Sequence, residues 1–348
     1  MVYKALWHLA RTALAVWALA SVAFLLSHRS LSPEAALPDL SDTTSAATVA
    51  DRQAAQQAAQ HRLGLDLPLF YVGHTSFPSR GWRWHGFNNQ YHQWAVCLMH
   101  GDLGTSFRTG QPVRSELGAA LAYTLPLTGT AALLAVLGAL ALAQRLAAQP
   151  WWHQSVRSLL MGLHALPLFV VALALLLLLA NPEMLAWFPA YGLDDMAENE
   201  STTSNQLASY AWHLALPVAA LFLAILPDFT LQLEANLGHE MRAGYANTAR
   251  AKGLSVQQVI RNHALRNALL PSLTQLALLL PALVAGAVVV EVAFALPGMG
   301  RLLAEAAANR DYPILVGGVL LTGLARLLAL LLADLFYFWA DPRIRWQP

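Results

Sequence analysis

Long apolar stretches alternate with shorter polar ones along this chain, and six of the apolar stretches reach the roughly 20 residues that a helix needs to cross a hydrocarbon core about 30 Å thick. They run approximately from Ala5 to Leu26, Leu121 to Ala143, Leu159 to Ala180, Ala211 to Leu231, Leu269 to Val292 and Ile314 to Phe338. Several contain prolines, which lipid-embedded helices tolerate because neighbouring elements re-satisfy the freed carbonyls. The pattern predicts an all-α integral membrane protein with six transmembrane helices. The first run has the basic start and small residues of a signal peptide, with Lys4 before it and Ala18, Ala20 and Ser21 within it. Its apolar character continues through Phe24, Leu25 and Leu26, which fits a retained span better.

An even number of spans puts both termini on one side, and the basic residues decide which. Lys4, Arg145, Arg157, Arg242, Arg250, Lys252, Arg261, Arg266, Arg343 and Arg345 all fall on one side in short segments, which makes that side and both termini cytoplasmic. The opposite loop from Asn181 to Tyr210 has no Lys or Arg but carries Glu183, Asp194, Asp195, Glu198 and Glu200. Two polar segments are then large enough to carry function. An outer region follows the first span, with a Ser/Thr/Ala-rich stretch (Ser41 to Ala50), a Gln/Ala-rich helical pattern (Arg52 to Arg62) and an aromatic patch of Trp82, Trp84, Phe87, Tyr91 and Trp94. An inner loop spans about Glu234 to Ala268.

Composition narrows the chemistry. Of 348 residues 57% are apolar and only 12% charged, and the net charge of +1 offers no bulk field for nucleic acid. The single cysteine, Cys97, rules out an internal disulfide and a Cys-based zinc site. The only lysines, Lys4 and Lys252, lie outside any GK[ST] context, so the chain has no Walker-type phosphate loop and any ATP must be hydrolysed by another polypeptide. No cofactor is expected. GxSxG and HExxH are both absent, which weighs against an intramembrane enzyme. A secondary transporter commonly shows internal repeats, and none is visible.

The sharpest local pattern lies in the inner loop, in Tyr245-Ala-Asn-Thr-Ala-Arg-Ala-Lys-Gly-Leu-Ser255. It reads as helix, stop, helix. Gly253 is placed as a left-handed cap, with Arg250 and Lys252 in the preceding turn where the helix dipole favours cations. Ser255 with Gln258 forms a capping box for the next helix, which runs through Arg261, His263 and Arg266. A short, stiff helix held at a fixed angle suits mechanical docking better than catalysis.

Here the sequence resembles the permease subunits of bacterial ATP-binding-cassette importers for dipeptides, oligopeptides and nickel. Thr248-Ala-Arg-Ala-Lys-Gly-Leu-Ser255, followed by His263-Ala-Leu-Arg-Asn-Ala-Leu-Leu-Pro271, is similar to the cytoplasmic motif that docks into a groove on the ATPase. Gly101-Asp-Leu-Gly-Thr-Ser-Phe-Arg-Thr-Gly110 is similar to an outer-loop signature. Glu291, Leu296-Pro-Gly-Met-Gly-Arg-Leu302 and Arg310-Asp-Tyr-Pro313 are similar to the connection between the fifth and sixth spans, and Asp334 with Asp341-Pro-Arg-Ile-Arg345 to the C-terminus. The resemblance implies a first helix over 1–28, an extracytoplasmic region over 29–120, and a five-helix permease core over 121–348 whose coupling loop is 234–268. It assigns ATPase coupling to Tyr245, Thr248, Ala249, Arg250, Lys252 and Gly253. It implies a second permease subunit, ATP-binding subunits and an extracytoplasmic solute-binding protein as partners, in the bacterial inner membrane, with specificity largely in the binding protein. Two departures stand out: Glu234 replaces a usual basic residue and Gly244 a usual acidic one, while residues about 72–94 read as an insertion.

Pathway candidates are Glu291, Pro297, Gly298 and Gly300. Pro297-Gly298 fits a type II turn with glycine at its third position, and the resemblance implies a short re-entrant segment behind it. Glu291, near a span end, either lines a polar path or ties down this turn. Arg326 and Asp334 lie about 12 Å apart along one helix and cannot pair directly; Asp228 is a candidate partner for either. His85, His92 and His100 match no metal-ligand spacing, and His164 and His213 lie in or beside spans.

Overall fold

The computed structural model describes residues 2–30, 67–75, 81–189, 203–285 and 287–340. The stretches Ser41 to Ala50, Arg52 to Arg62 and Asp341 to Arg345 lie outside the described residues, as does the side chain of Asp334.

In chain order come α1 (Val2–Ser30), β1 (Val72–Thr75), β2 (Gly81–Trp84), α2 (Gln90–Met99), α3 (Val113–Ala147), α4 (His153–His164), α5 (Leu168–Leu175, extended by a wider turn over Leu176–Ala180) and α6 (Thr203–Glu240). There follow α7 (Gly244–Ala251), α8 (Val256–Val259), a wide turn over Ile260–Ala264, α9 (Leu265–Ala285), α10 (Val288–Ala293), α11 (Met299–Ala308) and α12 (Tyr312–Ala340). The chain is mostly helical. The one pair of strands among the described residues, β1 antiparallel to β2, falls inside the segment that reads as an insertion, with Val72 opposite Trp84 and Thr75 opposite Gly81.

Three stretches are long and apolar enough to cross a membrane: Val113–Ala147, Ser209–Glu240 and Tyr312–Leu332. A fourth is the pair α4 and α5, if both halves make one crossing. That pair departs from the expected straight span, because the helices bend by 100° at their junction. Proline causes the break: Pro167 has no N–H to donate, and its ring pushes Leu166 out of helical geometry. The expected fifth span is also interrupted, since α9 stops at Ala285 and Ala287 takes a non-helical backbone before α10. The Ala-Gly-Ala sequence there supplies the weakest ordinary helix former. Hydropathy sums are blind to both breaks.

The described chain forms two compact units. One comprises Met1–Lys4, Ala119–Leu302 and Thr322–Pro348. Its largest core joins Leu127 and Ala131 of α3, Ala172 and Leu176 of α5, Leu214, Leu216, Ala220 and Leu221 of α6, and Val290, Phe294 and Leu296 around α10. A second core joins Ala143, Leu233, Leu237, Ile260, Ala264 and Ala268, where the small alanines let α3, α6 and α9 approach closely.

The other unit comprises Ala5–Gly118 and Leu303–Leu321. Here α2 packs on α1: Trp17 Nε1 donates to the Tyr91 hydroxyl at 3.1 Å, and the Phe24 and Trp94 rings stack 4.8 Å apart. The Gly101 to Gly110 loop closes on the start of α12 through Asp311. This buried carboxylate accepts hydrogen bonds from Ser106 Oγ and from the amides of Phe107 (3.2 Å) and Arg108 (3.4 Å). Two segments distant in sequence, each similar to a different part of the same family, thus belong to one clamp.

Candidate functional site: a capped helical elbow and a locked turn

The elbow is built on α7. Its Ala246 and Ala249, three residues apart, are buried against Val259 with Met241 and Leu254, and this narrow apolar stripe seats the helix. Tyr245, Thr248 and Lys252 lie on the exposed side, so these coupling candidates form one outward stripe while Ala249 faces inward.

Both ends of the elbow are fixed by local chemistry. Gly253 has φ of +86°, as the left-handed cap requires. Its amide donates to the Arg250 carbonyl at 2.9 Å and that of Leu254 donates to the Ala249 carbonyl at 3.3 Å, which completes a Schellman motif with Leu254 as its apolar seal. The capping box is present: Gln258 N donates to Ser255 Oγ at 3.3 Å, and Ser255 N to Gln258 Oε1 at 2.9 Å.

Further bonds tie the elbow to α6. Arg250 Nη2 donates to the Met241 carbonyl at 3.2 Å and to Asn247 Oδ1. The Tyr245 hydroxyl donates to the Glu240 carboxylate, and Asn267 of α9 reaches both groups at 3.4 Å. Burial and the neighbouring Glu240 hold the Tyr245 phenol above its usual pKa of 10.0, because both disfavour a phenolate. Thr248 Oγ1 donates back to the Gly244 carbonyl at 3.0 Å. In the sequence Asn267 is only one position of the His263–Pro271 motif; its contacts depend on α6 and α9 lying side by side.

Glu234 now has partners: its buried Oε1 lies 2.7 Å from His153 Nε2 and accepts a bond from Arg157 Nη1 at 3.2 Å, so α4 supplies an imidazole and a guanidinium to this carboxylate.

The four pathway candidates are brought together around the start of α11. Glu291 is fully buried, with Oε1 accepting from Thr124 Oγ1 at 2.7 Å and Oε2 from the Arg301 amide at 3.0 Å. Thr124 Oγ1 in turn accepts the Met299 amide at 2.7 Å. Gly298 precedes the helix and has no side chain to cap it, so Glu291 and Thr124 satisfy two of its first amides from a distance, and the carboxylate sits where the helix dipole favours it.

The expected type II turn is not formed. Gly298 is absent from the residues with positive φ; Ala295 takes the left-handed conformation instead, and Gly298 N closes a three-residue turn on the Leu296 carbonyl at 2.9 Å. Glycine is needed here for space: a Cβ on Gly298 would stand 2.3 Å from Glu291 Cδ, and one on Gly300 would stand 2.7 Å from the Val288 backbone. Pro297 alone of the four is exposed. Thr124 was missed in the sequence because its partners lie more than 160 residues away.

Of the other polar groups, Asp228 pairs with His164 Nδ1 at 3.1 Å rather than with Arg326, which is exposed on α12. His92 Nδ1 meets the Tyr71 hydroxyl at 3.0 Å, and His213 Nδ1 meets the Ser209 carbonyl at 2.8 Å. No group of three metal-ligating side chains occurs among the described residues.

Comparison with known proteins bears directly on the elbow and the turn, which both lie inside the matched region. The family described as "Binding-protein-dependent transport system inner membrane component" matches residues 117–346. The chain is 33% identical over 261 residues to the oligopeptide transport system permease protein AppB of Bacillus subtilis (strain 168), covering 74% of this chain and 80% of that protein. It is 33% identical over 309 residues to the di/tripeptide transport system permease protein DppB of Pseudomonas aeruginosa (strain UCBPP-PA14), covering 83% and 84%. It is 31% identical over 320 residues to the dipeptide transport system permease protein DppB of Alkalihalophilus pseudofirmus, covering 86% and 90%. With two thirds of its length inside one family and such relatives along most of the rest, this chain belongs to the inner-membrane components of binding-protein-dependent transport systems: it is a permease subunit of an ATP-binding-cassette importer and not an enzyme.

Proposed function

We propose that the chain forms, with a second permease subunit, the membrane pathway of a peptide importer, and that α7 is the element through which cytoplasmic ATP-binding subunits act on it. The peptide solute follows from the oligopeptide and di/tripeptide systems to which the relatives belong. Six crossings with both termini cytoplasmic follow from the basic side of the chain, with α4–α5 and α9–α10 as interrupted spans. The region over 29–120 then faces outward, toward a solute-binding protein, and 121–348 forms the core around the inner loop 234–268.

The observation that carries this reading is the division of α7 into a seated side, Ala246 and Ala249, and an outward side, Tyr245, Thr248 and Lys252. A helix held by a Schellman motif at one end and by Tyr245 and Arg250 bonds to its neighbours moves as one body with α6 and α9. A push on its exposed face is therefore transmitted rather than absorbed. Pro217 and Pro227 of α6 and Pro271 and Pro281 of α9 supply the weakened points at which these helices flex. Beyond them, Glu291 keeps the Pro297–Gly298 turn and α11 in register with α3.

Replacement of Gly253 by valine tests the coupling role. The variant should insert and assemble, yet lose most solute-dependent stimulation of ATP hydrolysis. Full stimulation in an assembled complex would refute docking through this elbow.

A further inference from the structure

The aromatic segment between α1 and α3 divides into two sets. Tyr91 and Trp94 pack on α1, whereas Trp82, Trp84 and Phe87 are 79%, 65% and 71% exposed. Trp82 and Trp84 alternate with Arg83 on β2, so both point to one face of the hairpin.

The hairpin is attached to α1 by a run of ring contacts. Phe24 stacks on Trp94 at 4.8 Å, Trp94 meets Tyr91 at 5.5 Å, Tyr91 meets Tyr71 at 5.9 Å, and Tyr71 stacks on Trp84 at 5.8 Å. Hydrogen bonds add to it: Ser21 Oγ and the Tyr91 hydroxyl are 2.8 Å apart, and His85 N donates to the Tyr71 carbonyl at 2.8 Å. Along the α1 axis, Phe24 lies about 3 Å and Trp17 about 14 Å below Leu26, the last residue of the first apolar run. The ring series therefore starts within the outer part of that run.

Among the described residues, the other exposed tryptophans mark the ends of apolar stretches. Trp7 stands near the start of α1, Trp151 just past the end of α3, Trp187 beyond α5, and Trp212 at the beginning of the apolar part of α6. Indole concentrates at the boundary between headgroups and acyl chains because its ring is apolar and its N–H is not.

We propose that the β1–β2 hairpin is a membrane anchor, with Trp82, Trp84 and Phe87 seated in the interfacial layer of the outer leaflet beside α1. The continuity of the exposed rings with α1 favours lipid over a protein partner as the occupant. Anchored there, the hairpin holds α2 and the outer loop at a fixed height against the first span. The proposal rests on α1 crossing the membrane, and its test separates the two.

The assembled importer, reconstituted in phosphatidylcholine–phosphatidylglycerol vesicles, is compared with its W82F/W84F variant by tryptophan emission. The difference signal reports these two indoles. Lipids brominated near the headgroup end of the acyl chain should quench most of this signal, and lipids brominated near the bilayer centre much less. The single W82F and W84F variants give the same reading if the double variant assembles poorly. A difference signal insensitive to bromine at either depth overturns the anchor, as does one that responds instead to added solute-binding protein. If the W17F difference signal, from an indole about 14 Å below Leu26, is quenched by the deep bromines, only the anchor fails; if it is not, the spanning reading of α1 fails with it.

Discussion

Replacing Gly298 with alanine tests the locked turn most sharply, because the smallest possible side chain meets a group that has nowhere to go. The added Cβ would stand 2.3 Å from Glu291 Cδ, 2.4 Å from Oε1 and 2.6 Å from Oε2, against ordinary contact from about 3.4 Å. To relieve this, the carboxylate must retreat by roughly 1 Å, which stretches its bonds to Thr124 Oγ1 and the Arg301 amide beyond useful range. Each is a hydrogen bond to a charged acceptor, worth about 1.5–3 kcal/mol, so the loss is about 3–6 kcal/mol. That is a large fraction of the stability of an ordinary domain. The assay is the thermal midpoint and yield of detergent-solubilised assembled complex for Gly298→Ala, Glu291→Ala and the double variant. Glu291→Ala removes the group that the Cβ strikes, so the double variant should be no less stable than Glu291→Ala alone, a strongly non-additive cycle. Additive losses, or a Gly298→Ala complex as stable as wild type, would refute the contact.

Three further outcomes follow from the geometry. Asp311→Ala strips acceptors from Ser106 Oγ and the Phe107 and Arg108 amides, and should lower stability by about 2–3 kcal/mol and open the Gly101 to Gly110 loop to protease; unchanged proteolysis would count against the clamp. Glu234→Lys sets a cation against His153 and Arg157, and should reduce assembled complex while Glu234→Gln reduces it less; equal levels of both would show that charge is not what matters there. The Tyr245 phenol, raised by burial and by Glu240, keeps its proton and its bond to Glu240 through pH 10.0, and loses both as pH climbs through the raised value. In absorbance titration, wild type minus Tyr245→Phe should show a phenolate midpoint above 10.0, and a midpoint at or below it contradicts the bond.

What could be read in the sequence was what is local. The Gly253 cap and the Ser255–Gln258 box each depend on residues within one turn of one another, so spacing alone specified them. The long runs behind α3, α6 and α12 were legible as apolar lengths. The bend at Pro167 and the break near Ala287 were not, because a hydropathy sum carries no information about axis direction. Gly298 was singled out, but for a positive φ it does not adopt; its cause is a carboxylate seven residues back, folded onto it. Glu291 was visible as a charge in an apolar setting, while Thr124, which completes its network, looks like any other threonine in a span. Asp311 and Ser106 each lay in a recognisable motif, yet only the fold joins them across 205 positions.

The central claim is that one face of α7 meets the ATP-binding subunit. In a Cys97→Ala background, cysteine is placed singly at positions 245, 248, 249 and 252 of the chain assembled with its ATPase in native membranes, and treated with a short bifunctional thiol reagent. Positions 245, 248 and 252 lie on the exposed stripe and should cross-link to the ATPase, whereas 249 is buried against Val259 and Leu254 and should not. Equal cross-linking at 249, or none at the exposed three while ATPase still co-purifies, would contradict docking through this helix.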